Sequence, residues 1–354
     1  MWYAIPLLFR KSEKRYIKMS IVYYDVKTAP FKVYGLDNEA LANGEFRRIP
    51  ASVADATSAN VVTLSKNTAG GRIRFKTNSS VMYIKAKMLQ QDESIHCSAL
   101  SQFGFDVYVD MPYGPVFCDT TKIAMSKVFD YECQVYVPGG EKEITVNMPL
   151  YGSVIDVEIG LDENATVSEH SPYKYEQPIV IYGSSITQGG CVSRPGKLYS
   201  AIISRKLDHN FTCLGFSGSA KAEDAMVEYL ASLDMAAFVS DYDHNAPSPE
   251  YLRETHHKLY EKIREKHPDI PYYMITKPDF RYEPDCIARR TVVMESYLKA
   301  YNKGDRNVYF IDGSAFFNGL DMSDATIDRC HPTDDGQRRM AEYICDVIRK
   351  TMHI

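Results

Sequence analysis

The sequence predicts an all-β sandwich over residues 31–170, followed by an α/β domain with a five-stranded parallel sheet over residues 175–354. Three observations predict it. At 354 residues the chain exceeds the usual length of one domain. From about residue 31 to 167, apolar and polar side chains alternate in short runs broken by turn residues. After residue 178, continuous apolar runs alternate with helical segments, the grammar of a parallel sheet covered on both faces.

In the first part, Val61–Leu64, Gly71–Phe75, Val81–Ala86, Phe105–Val109 and Glu143–Met148 read as strands. Gly70-Gly71, Asn78, Pro112-Tyr113-Gly114 and Pro138-Gly139-Gly140 punctuate them. Helical periodicity is almost absent, and Arg47-Arg48 is expected on the surface. Residues 1–30 read as an N-terminal extension. Its short apolar run is broken by Pro6 and followed by Arg10, Lys11, Lys14 and Arg15, the reverse of a signal peptide. No other stretch has the length to span a bilayer, so a cytoplasmic location is expected. Met1 and Met19 both stand as candidate starts.

In the second part, strands are expected at Pro178–Gly183, Phe211–Phe216, Ala236–Ser240, Tyr272–Thr276 and Val308–Asp312. The helices between and after them are expected at Lys197–Leu207, Glu223–Leu233, Pro249–Lys266, Pro284–Tyr301 and Thr333–Lys350.

Composition narrows the function. A net charge of -5 with 25% charged residues carries no electrostatic footprint for nucleic acid or an anionic membrane. The eight cysteines include no Cys-x-x-Cys pair, which argues against a zinc site and fits free thiols; Cys330 reads as a packing residue. No metal or cofactor is expected.

In a parallel sheet the ligand site lies off the carboxyl ends of the strands. Polar loop segments sit at those positions. After the first strand comes Gly183-Ser184-Ser185-Ile186-Thr187-Gln188-Gly189-Gly190, which matches neither phosphate-binding glycine pattern. It is not a Gly-x-Ser-x-Gly elbow either, since Thr187 stands where the second Gly belongs. After the second strand, Gly218 offers either an open N–H for a developing negative charge or a tight turn. After the third, Asn245 offers a side-chain amide or orders the loop. Near the C-terminus, Asp328 and His331 lie three apart. There the carboxylate can take the Nδ1 proton, leaving Nε2 to accept one from a serine.

This set resembles the SGNH, or GDSL-like, hydrolase superfamily, whose members carry Ser, Gly, Asn and His in four separated blocks. Ser185, Gly218, Asn245 and Asp328-x-x-His331 match them in order across about half the chain. Ser184 replaces the usual Asp before the nucleophile, and Asp243-His244-Asn245-Ala246 departs from the usual third block. The β-rich first half is similar to two-domain bacterial esterases with a jelly-roll module. The resemblance implies a flavodoxin-like three-layer catalytic domain and a serine esterase acting on short-chain, acetyl esters, including those of carbohydrates. It implies Ser185 as nucleophile, His331 as base, Asp328 as its orienting carboxylate, and Ser185, Gly218 and Asn245 as the oxyanion hole. Arg194 and His244 are candidate substrate contacts, with loop bracing or loop solvation as the alternatives. The expected partner is a small-molecule or oligosaccharide ester, with no nucleic acid and no membrane. An acyltransferase with the same triad, a non-catalytic carbohydrate-binding protein and a phosphodiester or thioester hydrolase are the rivals.

Overall fold

The computed structural model describes residues 20–91, 94–278, 284–317 and 324–354. The signal-peptide and start-site expectations for residues 1–19 lie outside the described residues. Among the described residues, no helix is long and apolar enough to cross a membrane.

Ten strands among the described residues occupy the first half. They are β1 (Ile21–Asp25), β2 (Lys32–Tyr34), β3 (Arg72–Thr77), β4 (Met82–Met88), β5 (Asp106–Met111), β6 (Gly114–Thr120), β7 (Asp130–Val135), β8 (Lys142–Asn147), β9 (Val154–Asp162) and β10 (Val167–Ser168). One antiparallel sheet has the order β1-β9-β4-β7, and the other β10-β3-β8-β5-β6 with β2 also on β3. The period-two pattern becomes a sandwich because one face of each strand is apolar. Ile73, Phe75, Ile84, Val107, Ile144, Val146, Ile159 and Leu161 fill the core between the sheets and are fully buried.

Two expectations fail here. β1 lies inside the stretch read as an extension, yet it pairs residue for residue with β9, so the sandwich begins at Ile21. Among the described residues, four short helices also interrupt the strands: α1 (Asn38–Ala42), α2 (Ala51–Thr57), α3 (Ala59–Leu64) and α4 (Ala99–Phe103). The Val61–Leu64 run is thus helical. Ser58 caps α3 by accepting from the Val61 N–H, and Val61 is fully buried. Ile49, Ala54 and Val61 pack into the core of the α/β half, so tertiary burial overrides β-branched propensity.

The second half runs β11 (Tyr175–Gly183), α5 (Ser185–Gln188), α6 (Tyr199–Leu207), β12 (His209–Gly215), α7 (Asp224–Ser232), β13 (Ala237–Asp241), α8 (Pro249–Lys266), β14 (Tyr272–Ile275), α9 (Pro284–Asn302), β15 (Val308–Ile311) and α10 (Asp334–Met352). All neighbouring strands pair in parallel, in the order β12-β11-β13-β14-β15. Val180 and Tyr182 face α7, α8 and α9; Ile179 and Ile181 face α6 and α10. This gives three layers with a flavodoxin-like order, as expected. The carboxyl ends of β11, β12 and β13 lie side by side, which brings their following loops together.

Candidate active site

The nucleophile loop is built at the end of β11. Ser184 caps α5 by accepting from the Ile186 N–H at 3.1 Å, doing the capping work an Asp would do there. The Ser184 N–H donates to the Asp241 carbonyl at the end of β13 (3.1 Å). Ser185 is the first residue of α5 and is 7% exposed.

The His331 loop is shaped by Asp328. One carboxylate oxygen accepts from the N–H groups of Cys330 (3.0 Å) and His331 (2.8 Å). The other lies 2.7 Å from His331 Nδ1. That carboxylate defines the tautomer, with hydrogen on Nδ1 and an open lone pair on Nε2. Ser185 Oγ lies 2.7 Å from Nε2, at donating distance. Burial alone would raise the Asp328 pKa, but the His331 N–H, the His331 ring and the Cys330 N–H hold it down at about 2. Gln337 fixes α10 against the nucleophile segment, donating to the Ile186 carbonyl (3.1 Å) and accepting from the Tyr199 N–H (2.8 Å).

Gly218 adopts φ +66°, a left-handed conformation suited to glycine, with open space where a side chain would project. Asn245 sits in a 3₁₀ turn at the end of β13. Arg289 donates to the carbonyls of Asp243 (2.6 Å) and Ala246 (2.8 Å) and so clamps that turn from α9.

The two candidate substrate contacts are placed otherwise. Arg194 donates to Asp106 (2.5 Å) and to the Tyr108 hydroxyl (2.9 Å) and lies over the Phe117 ring. It braces the loop onto the sandwich because Asp106, fully buried, needs a cationic partner. The His244 ring is turned onto Asp243 through Nδ1 (2.9 Å), and its side chain is only 10% exposed. Arg48 is also not on the surface: it is 1% exposed and donates into the α/β half.

Asp241, just past the strand expected at Ala236–Ser240, gave no sequence sign of its role, because its partners lie on α5 and α6. It is fully buried, accepts from Thr187 Oγ1 (2.8 Å) and the Tyr199 hydroxyl (3.0 Å), and keeps its other oxygen unpartnered. Burial pushes its carboxyl up to about 6. Such a group contributes stability that is fully present below its ordinary value of 3.8 and is lost as pH rises through about 6. The shift corresponds to about 2–3 kcal/mol. Asp241→Asn is therefore expected to gain stability relative to the parent between pH 4 and pH 7, read from urea midpoints. Parallel pH profiles for the two proteins would refute the assignment.

A three-layer parallel sheet whose carboxyl edge carries a hydrogen-bonded serine, histidine and aspartate, with a glycine and an asparagine in the loops after the next two strands, fits the SGNH class of hydrolases. The comparisons agree. Residues 176–349 match the GDSL-like lipase/acylhydrolase family model. Residues 21–167 match the family model for the N-terminus of SGNH-hydrolase-type esterases. The chain belongs to the GDSL-like, SGNH-type hydrolase family and is an esterase.

Among solved structures, a GDSL-like lipase from Bacteroides ovatus is 28% identical with a TM-score of 0.85, covering 95% of this chain and 99% of that one. The salicylyl-acyltransferase SsfX3 of a tetracycline biosynthetic pathway is 18% identical (TM-score 0.72; 94% and 97% covered). An acetyl xylan esterase from the rumen bacterium Butyrivibrio proteoclasticus is 11% identical (TM-score 0.61; 94% and 99% covered). These last two share the fold. No curated protein matches the chain.

Proposed function

We propose that this esterase removes short acyl groups, acetyl foremost, from carbohydrate esters through an acyl-enzyme on Ser185. The observation that carries the reading is the unbroken chain from Ser185 Oγ to His331 Nε2 and from His331 Nδ1 to Asp328, both links 2.7 Å. Ser185 attacks the ester carbonyl while His331 takes its proton, and Asp328 stabilises the imidazolium. The oxyanion is received by the N–H groups of Ser185 and Gly218 and the Asn245 side-chain amide. The alcohol leaves with the proton held on His331. Water, deprotonated by the same ring, then releases the acid. The carbohydrate part of the reading draws on the acetyl xylan esterase, which shares both halves of the fold.

The whole-chain likeness to an acyltransferase favours a second reading, in which an alcohol or amine takes the acyl group in place of water. One experiment separates them. Purified protein is given p-nitrophenyl esters of two to eight carbons and acetylated xylo-, manno- and cello-oligosaccharides, with and without added acceptors. The expected result is fastest turnover on the two-carbon ester and free acetate from at least one oligosaccharide. Acyl-acceptor product in place of acetate would favour transfer, and inertness toward every ester would end both readings.

A further inference from the structure

Ser217-Gly218 is a two-residue segment of small side chains, and it carries one of the proposed oxyanion donors. Its own backbone closes the turn, the Ser219 and Ala220 N–H groups both donating to the Phe216 carbonyl, and leaves the Ser217 N–H to a partner outside it. A loop so short keeps an N–H aimed to within a fraction of an ångström only if neighbours fix it.

The neighbours are specific. The Ser217 N–H donates to Gln188 Oε1 at 3.0 Å. A backbone N–H can meet only the oxygen of that amide, so Gln188 Nε2 must point the other way. There it finds two acceptors, the Leu150 carbonyl (3.2 Å) and Asn67 Oδ1 (3.1 Å). Asn67 is oriented in turn, and its Nδ2 donates to the Tyr151 carbonyl (2.6 Å) and Ser153 Oγ (3.2 Å). Reversing either amide would set donors against donors or acceptors against acceptors. Gln188 is fully buried and Asn67 is 4% exposed, so no water competes for these groups.

Two more residues of the first half reach the same place. Arg48 donates to the Gly215 carbonyl (2.5 Å) just before the loop, and to the Asn67 (2.9 Å) and Leu64 (2.6 Å) carbonyls. The Tyr151 hydroxyl lies 3.4 Å from the Ser185 carbonyl, beside Gly190. Glycine at 215 is required for this closeness, since a side chain there would strike the Gln188 backbone.

We propose that the β-rich half is a structural part of the oxyanion hole, with Gln188 and Asn67 as positioning residues that hold Ser217-Gly218 against the nucleophile helix. This rests on the reading of Ser185 as nucleophile and Gly218 as oxyanion donor. The sandwich then acts on the chemical step itself, whatever it also does for substrate binding.

The test uses the full chain. Gln188→Met keeps the side-chain length and removes the whole relay. Losing one oxyanion donor outright costs ~10²–10³ in kcat, so a displaced donor is expected to cost ~10–10² with KM within about threefold. Rates are expressed per site titrated with a fluorophosphonate, so that a fraction of misfolded protein does not lower them. Affinity for a boronic acid, which forms a tetrahedral adduct on serine, is expected to fall by the same factor as kcat/KM, while inhibition by acetate stays constant. Should Gln188→Met fail to fold, Asn67→Ser, which breaks only the outer link, decides, with an expected loss of about threefold to tenfold in kcat. Wild-type kcat per titrated site in the folded deciding variant overturns the proposal, as does a loss confined to KM. Hydrolysis surviving Ser185→Ala would overturn the nucleophile assignment instead, which keeps the two failures apart.

Discussion

Ser185→Ala is expected to lower kcat on p-nitrophenyl acetate by ~10⁴–10⁶, to the residual level that binding and the oxyanion hole sustain alone. KM is expected to change only a few-fold, because an acetyl ester gains little ground-state binding from the hydroxyl. The fold should survive. Ser185 Oγ is bonded to His331 Nε2, a ring edge that solvent can serve in its place, since the His331 side chain is 25% exposed. The cap of α5 belongs to Ser184 and is untouched. A thermal midpoint within a few degrees of the parent is the check on folding, because a domain of this size loses about 2–4 °C per kcal/mol. Turnover in the variant at more than a few per cent of the parent would sink the assignment of the nucleophile.

The second largest effect is expected at Asp328. Asp328→Asn keeps size and shape, but an amide N–H facing Nδ1 drives the ring to carry its hydrogen on Nε2, where it can no longer take the serine proton. A loss of ~10³–10⁴ in kcat is expected, the scale known for this change in a serine protease triad. The sign of the pH effect follows from the depressed carboxyl. The stabilisation from ionised Asp328 is present above its ordinary value of 3.8 and is lost as pH falls through about 2. Between pH 4 and 9 Asp328 therefore stays ionised, and the deficit of the variant is expected to be constant over the upper part of that range. A variant that recovers parental kcat at alkaline pH would contradict the tautomer argument.

Much of the α/β half was legible in the residues. A run such as Ile179–Tyr182 is apolar on both faces, and α10 opens at the Thr333 cap directly behind His331. These are local signals, and strands, helices and the order of polar loops follow from them. The first half was legible only as alternation. Val61–Leu64 read as a strand because β-branched residues favour one, whereas its partner surface, α7 and its neighbours, lies more than 150 residues away in the chain. For Arg194 and His244 the sequence left ligand contact open beside loop bracing and loop solvation, since a polar residue beside a nucleophile loop gives no sign of its partner. Their partners, Asp106 and Asp243, hold both side chains within the fold.

The sequence by itself pointed to the class of chemistry: Ser185, Gly218, Asn245 and Asp328-x-x-His331 each follow a strand of one parallel sheet, whose ends share an edge, and the structure joins Ser185, His331 and Asp328 there. Only the tertiary structure decided what surrounds them. Arg48, Asn67, Leu150 and Tyr151 reach β12 and the nucleophile helix from the first half by contacts with no period and no spacing. A hydrogen bond between a buried amide and a distant carbonyl leaves no pattern in either segment, and it exists only when both domains are folded and packed.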